Sequence, residues 1–201
     1  MKKLIATIIP LAAIFVVSFT TPHRAIPIGG DMPLADRKMK DISGKEVALQ
    51  DAIKENGLLV MFSCNTCPYV IKNQDRTRAI AQYAAEQGIG VVLVNSNEAE
   101  RGDADSYAAM QAYAQEQGYK WFYVVDENSV LADAFSANRT PECFLFNKDK
   151  KLVYHGAIDD NPSDASSVSR EHLKAAMDEM KAGKEVSTKE SRSVGCSIKR
   201  L

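Results

Sequence analysis

The chain has 201 residues, which is enough for one full domain and too few for two ordinary ones. Its composition, 45% hydrophobic and 25% charged residues, is typical of a soluble globular protein. A net charge of −1 creates no basic surface, so nucleic acid is not an expected partner. The chain contains four cysteines, and these residues carry most of the chemical information: Cys64, Cys67, Cys143 and Cys196.

The N-terminal 25 residues differ in character from the rest of the chain. Lys2 and Lys3 precede an uncharged apolar run over 4–19, which is the pattern of a secretory signal. The run is shorter than the ~20 residues of a spanning helix and contains Pro10, which favours a cleaved signal peptide over an uncleaved anchor. We therefore predict a signal peptide or N-terminal anchor over 1–25. We expect an exported protein, periplasmic or anchored facing the periplasm, where disulfides persist.

Residues 26–183 show apolar patterns of strand and helix length in alternation. A hairpin around Ser43-Gly44-Lys45 comes first. The predicted strands after it are 58–62, 90–95, 121–125, 143–146 and 152–154. The predicted helices are 50–55, 66–87, 105–117, 128–135 and 169–182. This order predicts one α/β domain with helices on both faces of a sheet, followed by a polar tail over 184–201.

Two cysteines two residues apart, Cys64 and Cys67, follow the apolar run 58–62 directly. Pro68 comes next and is well tolerated in the first turn of a helix. The pattern places Cys64 at a helix N-terminus, where unpaired amides and the helix dipole lower a thiol pKa. Such a pair predicts thiol–disulfide exchange, in which Cys64 attacks a partner sulfur and Cys67 resolves the mixed disulfide.

The same pair has two simpler interpretations. It could be half of a zinc site, but zinc needs about four ligands and the sequence offers no second CxxC or His-x3-His. We therefore predict no metal. It could also be a structural disulfide, which an oxidising compartment would permit.

Four segments together resemble the thioredoxin fold, in its redoxin branch of alkyl-hydroperoxide-reductase and thiol-specific-antioxidant proteins. Within that branch they resemble a bacterial group of exported thioredoxin-family proteins. The segments are Cys64-Asn65-Thr66-Cys67-Pro68-Tyr69-Val70, Arg139-Thr140-Pro141-Glu142, Tyr154-His155-Gly156-Ala157-Ile158-Asp159-Asp160 and Gly195-Cys196-Ser197-Ile198-Lys199. The resemblance implies a thioredoxin-like α/β fold with a central mixed sheet flanked by helices and an N-terminal hairpin extension.

The resemblance also implies roles for particular residues. Cys64 would be the nucleophile, Cys67 the resolving cysteine, and Pro141 a cis-proline whose flanking backbone can pair with an extended substrate. An ordinary strand-entry proline is the alternative for Pro141. The implied partners are protein thiols and disulfides and a membrane-bound electron donor, with no cofactor. The residues expected to contact substrate are Thr140, Asn65 and Thr66.

The sequence departs from the family pattern in places that matter for proton transfer. Thioredoxin has a buried Asp where this chain has Leu58, and cytochrome-maturation relatives often have Glu where it has Val70. The usual proton acceptor for Cys67 is therefore absent, and Glu142 or an ordered water is a candidate replacement.

The other two cysteines leave alternatives open. Cys143 is either a small buried hydrophobic residue or one half of a second disulfide, Cys143–Cys196, that would pin the polar tail to the sheet. A relay in which Cys196 exchanges with Cys64 or Cys67 is a further alternative.

Two other functions compete with disulfide exchange. A thiol peroxidase fits the superfamily, but peroxiredoxins carry Thr three residues before the peroxidatic cysteine, and Met61 and Cys64 occupy those places before Cys64 and Cys67. A copper-binding thioredoxin-fold module is suggested by His155 and His172, although such proteins have three residues between their cysteines. Both histidines are expected to be ordinary surface residues.

Overall fold

The computed structural model describes residues 25–201. The predicted signal peptide or anchor therefore lies, except for its last residue, outside the described residues. Within the described part of the chain, no helix is long and apolar enough to cross a membrane.

The described chain forms nine strands, six α-helices and three short 3-10 helices. The strands are β1 (Met39–Lys40), β2 (Glu46–Val47), β3 (Leu58–Ser63), β4 (Gly90–Asn95), β5 (Phe122–Val125), β6 (Arg139–Thr140), β7 (Glu142–Phe146), β8 (Leu152–Gly156) and β9 (Cys196–Ser197). The α-helices are α1 (Leu49–Ala52), α2 (Pro68–Lys72), α3 (Gln74–Glu86), α4 (Tyr107–Glu116), α5 (Val130–Phe135) and α6 (His172–Lys181). The 3-10 helices are Glu98–Glu100, Glu127–Ser129 and Ala165–Ser167.

The central sheet has five strands in the order β5-β4-β3-β7-β8. Strands β3, β4 and β5 run parallel, whereas β7 pairs antiparallel with both β3 and β8. The N-terminal hairpin forms from β1 and β2 as predicted. The mixed α/β fold, with helices on both faces and a hairpin extension, is confirmed.

Side chains of β3 point alternately to the two faces of the sheet, and each face carries its own hydrophobic core. Leu59 and Met61 face one core, which α3, α4 and α6 cover, and Leu58, Val60 and Phe62 face the other, which α1 and α5 cover. Because every residue of β3 is buried, its continuous apolar run is that of a central strand covered on both faces.

The predicted helix over 66–87 is two helices, α2 and α3, separated at Asn73. Asn73 donates from its side-chain amide to the carbonyl oxygens of Tyr69 and Pro162, so its side chain competes for backbone groups at the break. The sequence offered no Gly or Pro at this point, which is why one continuous helix was predicted.

The predicted polar tail over 184–201 is not separate from the domain. This C-terminal segment runs along the outer edge of β8, where the His155 amide donates to the Lys189 carbonyl and the Ser191 amide donates to the His155 carbonyl. It then ends as β9, which pairs antiparallel with β6. The predicted boundary at residue 183 therefore separates the domain from one of its own strands.

Candidate active site

The CxxC segment joins the end of β3 to the start of α2. Cys64 follows Ser63, the last residue of β3, and Cys67 is the N-cap residue of α2. Pro68 lies in the first turn of the helix, as the sequence predicts. The cysteine at the helix N-terminus is thus Cys67 and not Cys64.

Cys67 is joined by a disulfide to Cys196, with 6.0 Å between their Cα atoms and a sequence separation of 129. Cys64 is a free thiol with 1% of its surface exposed. It packs with Cys67 and Val70 in a small cluster that Cys196 also contacts. Cys64, Cys67 and Cys196 are called the cysteine cluster below.

The alternative Cys143–Cys196 disulfide is wrong. Cys143 lies within β7, opposite Met61 of β3, and is fully buried in the core that α3 and α6 cover. Burial raises the pKa of its thiol, so it is a free, inert hydrophobic residue. The pairing of β9 with β6 explains the difference, because it places Cys196 opposite Thr140 and beside Cys67.

Thr140 lies at the centre of this arrangement and is 1% exposed. Its hydroxyl oxygen is 3.5 Å from the Cys64 sulfur and shares a hydrogen bond with it. Its carbonyl oxygen is 3.3 Å from the Cys67 sulfur. The Thr140–Pro141 peptide bond is cis, as the resemblance implies. The loop predicted to face the CxxC pair therefore does face it.

The prediction that Cys64 has a lowered thiol pKa is wrong for this state of the protein. Burial raises the pKa of Cys64 above that of an ordinary cysteine, and the negative charge of Asp105 raises it further. Hydrogen bonds from Thr140 and from the backbone at Cys67 and Thr66 oppose this effect without cancelling it. In this arrangement the protonated thiol of Cys64 is therefore favoured over its thiolate.

The two residues between the cysteines have opposite orientations. Thr66 is exposed, so it is accessible to a substrate. Asn65 is buried: its amide nitrogen donates to the Ala104 carbonyl, and its side-chain oxygen accepts a hydrogen bond from the Tyr123 hydroxyl. Asn65 thus holds the loop to the body of the domain, and its predicted contact with substrate stays a prediction.

A buried carboxylate, Asp105, organises this side of the loop and was missed in the sequence. It is fully buried and accepts hydrogen bonds from the Asn65 backbone amide and from the side-chain amides of Asn95 and Asn97. Asn95 ends β4, and the carboxyl ends of the parallel strands β3 and β4 lie at the same edge of the sheet. The polar run after β4 was the signal that could have indicated this network.

Glu142, the candidate proton acceptor, is occupied by structural contacts. One carboxylate oxygen accepts from the backbone amides of Asn138 and Arg139, and the other lies 2.7 Å from Nε2 of His155. The His155 ring also stacks on Phe144. Glu142 therefore shapes the turn that presents Thr140, and the His155 side chain is engaged there instead of at the cysteines.

Within residues 25–201, no group of three or more Cys, His, Asp or Glu side chains is arranged to hold a metal ion.

The family model described as Redoxin matches residues 28–171, which is most of the chain and includes the CxxC pair and the Thr140–Pro141 loop. The chain belongs to the Redoxin family. A search of curated proteins finds no match to this redoxin.

Two solved structures are similar to this redoxin over nearly its whole length. One is an uncharacterized conserved protein from Geobacillus kaustophilus, with 34% identity, a TM-score of 0.81, and coverage of 88% of this chain and 93% of that one. The other is a hypothetical protein from Sinorhizobium meliloti, with 33% identity, a TM-score of 0.80, and coverage of 89% and 97%. A cysteine-to-serine mutant of PrxQ from Xylella fastidiosa is similar at 15% identity and a TM-score of 0.57, covering 80% of this chain and 98% of that one, which shows a shared fold.

Proposed function

We propose that this redoxin is an exported thiol–disulfide oxidoreductase that exchanges disulfides with protein thiols. The observation that carries the proposal is a disulfide, Cys67–Cys196, in contact with the free thiol of Cys64. A thiolate can displace one sulfur of an adjacent disulfide without any prosthetic group. The proposed reaction therefore uses no cofactor.

The proposed reduction of a substrate begins with the Cys64 thiolate attacking one sulfur of a protein disulfide. A mixed disulfide between Cys64 and the substrate forms, and the second substrate sulfur leaves as a thiolate that takes up a proton. Cys67, when free of Cys196, then attacks the Cys64 sulfur and releases the substrate as a dithiol, leaving a Cys64–Cys67 disulfide. Two electrons pass from the cysteine pair to the substrate, and the same steps in reverse oxidise a dithiol.

The loop at Thr140 and Pro141 supports this assignment because its backbone can pair with an extended chain beside the cysteine sulfurs. Exposed Thr66 lies on the same loop as the cysteines and is proposed to contact the substrate. The predicted signal peptide supports export, and a membrane-bound donor of electrons is the partner that an exported reductase would need.

The function is tested by reduction of insulin disulfides with a chemical thiol as the electron source. We expect Cys64→Ser to lose all activity above background and Cys67→Ser to accumulate mixed disulfides with insulin. Cys143→Ala is the matched control and is expected to retain activity, because Cys143 lies in the core away from the cysteine cluster. A Cys64→Ser protein with full activity would refute the assignment.

The direction of electron flow is decided by the reduction potential of the cysteines. A value close to that of thioredoxin, about −270 mV, would indicate a reductant, whereas one near about −120 mV would indicate a strong oxidant.

A thiol peroxidase is the second candidate, favoured by one observation. Cys67 is the N-cap residue of α2 and is bonded to a distant cysteine, as expected when a sulfenic acid condenses with a resolving thiol. In that reaction a peroxide would oxidise the Cys67 thiolate to a sulfenic acid, and Cys196 would displace water to form the disulfide. Rapid consumption of peroxide by the reduced protein, lost in Cys67→Ser and retained in Cys64→Ser, would favour this candidate.

A further inference from the structure

The last residues of the chain cross the cysteine cluster as an extended strand. In β9, Cys196 pairs with Thr140 and Ser197 pairs with Arg139, in antiparallel register. The pairing continues beyond the strand, where the Ile198 amide donates to the Asn138 carbonyl at 3.1 Å. The backbone edge of residues 138–140, beside the reactive sulfurs, is therefore covered by the protein's own chain.

The covering strand packs against the Thr140 backbone most closely at Gly195. A Cβ atom at this position would lie 2.1 Å from the carbonyl oxygen of Thr140 and 2.7 Å from its carbonyl carbon. No real Cβ atom approaches backbone that closely, so any other residue would push the strand away from Thr140. The backbone edge of residues 138–140 therefore accepts only glycine at the position immediately before the cysteine.

Contacts after Cys196 hold the strand in place. Ile198 is buried in the core that α1 and α5 cover, with 6% of its surface exposed. The Lys199 amide donates to the side-chain oxygen of Asn97, and the Lys199 carbonyl accepts from the Ala99 amide. Arg200 donates to the Asp133 carboxylate and to the Ala137 carbonyl.

We infer that residues 195–198 are a tethered substrate, docked on the edge that an incoming cysteine peptide must use. The inference rests on the proposed function and adds its substrate class. That class is an extended segment with glycine before the reactive cysteine and an aliphatic residue two positions after it. The sequence Gly195-Cys196-Ser197-Ile198 is the chain's own example of this pattern.

Release of the tethered substrate is an internal exchange that needs no external oxidant or reductant. The Cys64 thiolate attacks the Cys67 sulfur, so a Cys64–Cys67 bond forms and the Cys67–Cys196 bond breaks. Cys196 leaves as a thiolate and takes up a proton equivalent to the one lost by Cys64. Because Cys196 is partly exposed, its thiolate forms where water can solvate it. The segment can then leave the edge and admit a substrate.

Docking of the segment contributes to the burial of Cys64, because Cys196 packs against the cluster that Cys64 forms with Cys67 and Val70. Cys64 and Cys67 are 1% and 4% exposed while β9 is paired. After the exchange, a substrate thiol that docks on the vacated edge meets the Cys64–Cys67 disulfide, so exchange at Cys67 and opening of the site are the same event.

The first test uses the full-length variant Gly195→Ala, with Gly102→Ala as its matched control. A Cβ atom at Gly102 would meet nothing within 4 Å, so the control adds the same methyl group without a clash. Because the added methyl group would be forced against the Thr140 backbone, we expect alkylation of Cys196, the thiol that the exchange releases, to be roughly tenfold faster in Gly195→Ala. Peptide mapping after acid quenching should show a matching rise of the Cys64–Cys67 isomer over Cys67–Cys196. Gly102→Ala should behave as wild type.

Arg200→Ala is a second variant that spares the core, because Arg200 is a partly exposed residue whose contacts only hold the segment down. It should change alkylation in the same direction. If both Gly195→Ala and Arg200→Ala match wild type in alkylation rate and isomer ratio, the inference is overturned.

The second test uses the wild-type protein and two synthetic peptides in activated disulfide form. One has the sequence of residues 193–199, and the other differs only by alanine in place of the residue before the cysteine. We expect the reduced protein to react roughly tenfold faster with the glycine peptide. Equal rates would overturn the assignment of the substrate edge. The two proposals can fail separately. If Cys64→Ser abolishes insulin reduction but the two peptides react at equal rates, the proposed function stands and only this inference is overturned.

Discussion

Asp105→Ala should cause one of the largest losses of stability that a single substitution can produce here. The Asp105 carboxylate is fully buried and accepts hydrogen bonds from the Asn65 backbone amide at 2.9 Å, the Asn95 amide at 2.7 Å and the Asn97 amide at 2.8 Å. Its removal leaves those donors buried without their acceptor.

The magnitude follows from counting these donors. A buried donor left without a partner costs about 1–3 kcal/mol. The Asn95 side-chain amide also donates to the Tyr123 hydroxyl at 3.0 Å, so it loses only one of its two hydrogen bonds and contributes less to the cost. We therefore expect the free energy of unfolding to fall by about 3–6 kcal/mol, against a usual total of about 5–15 kcal/mol for a domain.

Urea unfolding of the oxidised protein measures this change, with Asp103→Ala as the matched control. Asp103 is exposed and bonds only through its backbone, so its substitution should alter the free energy of unfolding by less than about 0.5 kcal/mol. A loss below about 1 kcal/mol for Asp105→Ala would refute the account of the network.

Three further outcomes are expected. Because burial raises the pKa of Cys64, its alkylation by iodoacetamide should be slow at pH 7 and keep accelerating past the pKa of an ordinary cysteine; a plateau near pH 7 would contradict this. Cys143 should resist alkylation until the protein is unfolded, and Cys143→Ala should cost about 1 kcal/mol of stability. Asp159→Ala should cost about 3 kcal/mol in thermal or urea unfolding, because it leaves the largely buried guanidinium of Arg76 without its carboxylate; a neutral effect would contradict this.

The sequence predicted the parts of this molecule that depend on local patterns. Continuous apolar runs located β3 and β4, since a strand covered on both faces needs apolar residues at every position. Gly88 and Gly118 directly follow the predicted helices 66–87 and 105–117, and both adopt the left-handed conformation that closes a helix. The motif around Pro141 identified the loop that faces the cysteines.

The parts that failed depend on long-range pairing. Contact of Cys196 with Cys67, 129 residues away, was one of the alternatives, but nothing near Cys196 favours it over Cys143, because β9 has only two residues and no apolar periodicity. The pKa of Cys64 was predicted in the wrong direction for the same reason. A helix dipole is a local feature of sequence, whereas the burial that raises the pKa of Cys64 is visible only in the folded chain.

The most direct test of the account is the disulfide map of the oxidised wild-type protein, obtained by proteolysis and mass spectrometry without reduction. We expect a Cys67–Cys196 disulfide, with Cys64–Cys67 as the alternative bond that exchange forms. Cys143 should always be recovered as a free thiol. A bridge between Cys143 and Cys196, or an oxidised protein in which Cys67 remains a free thiol, would contradict it.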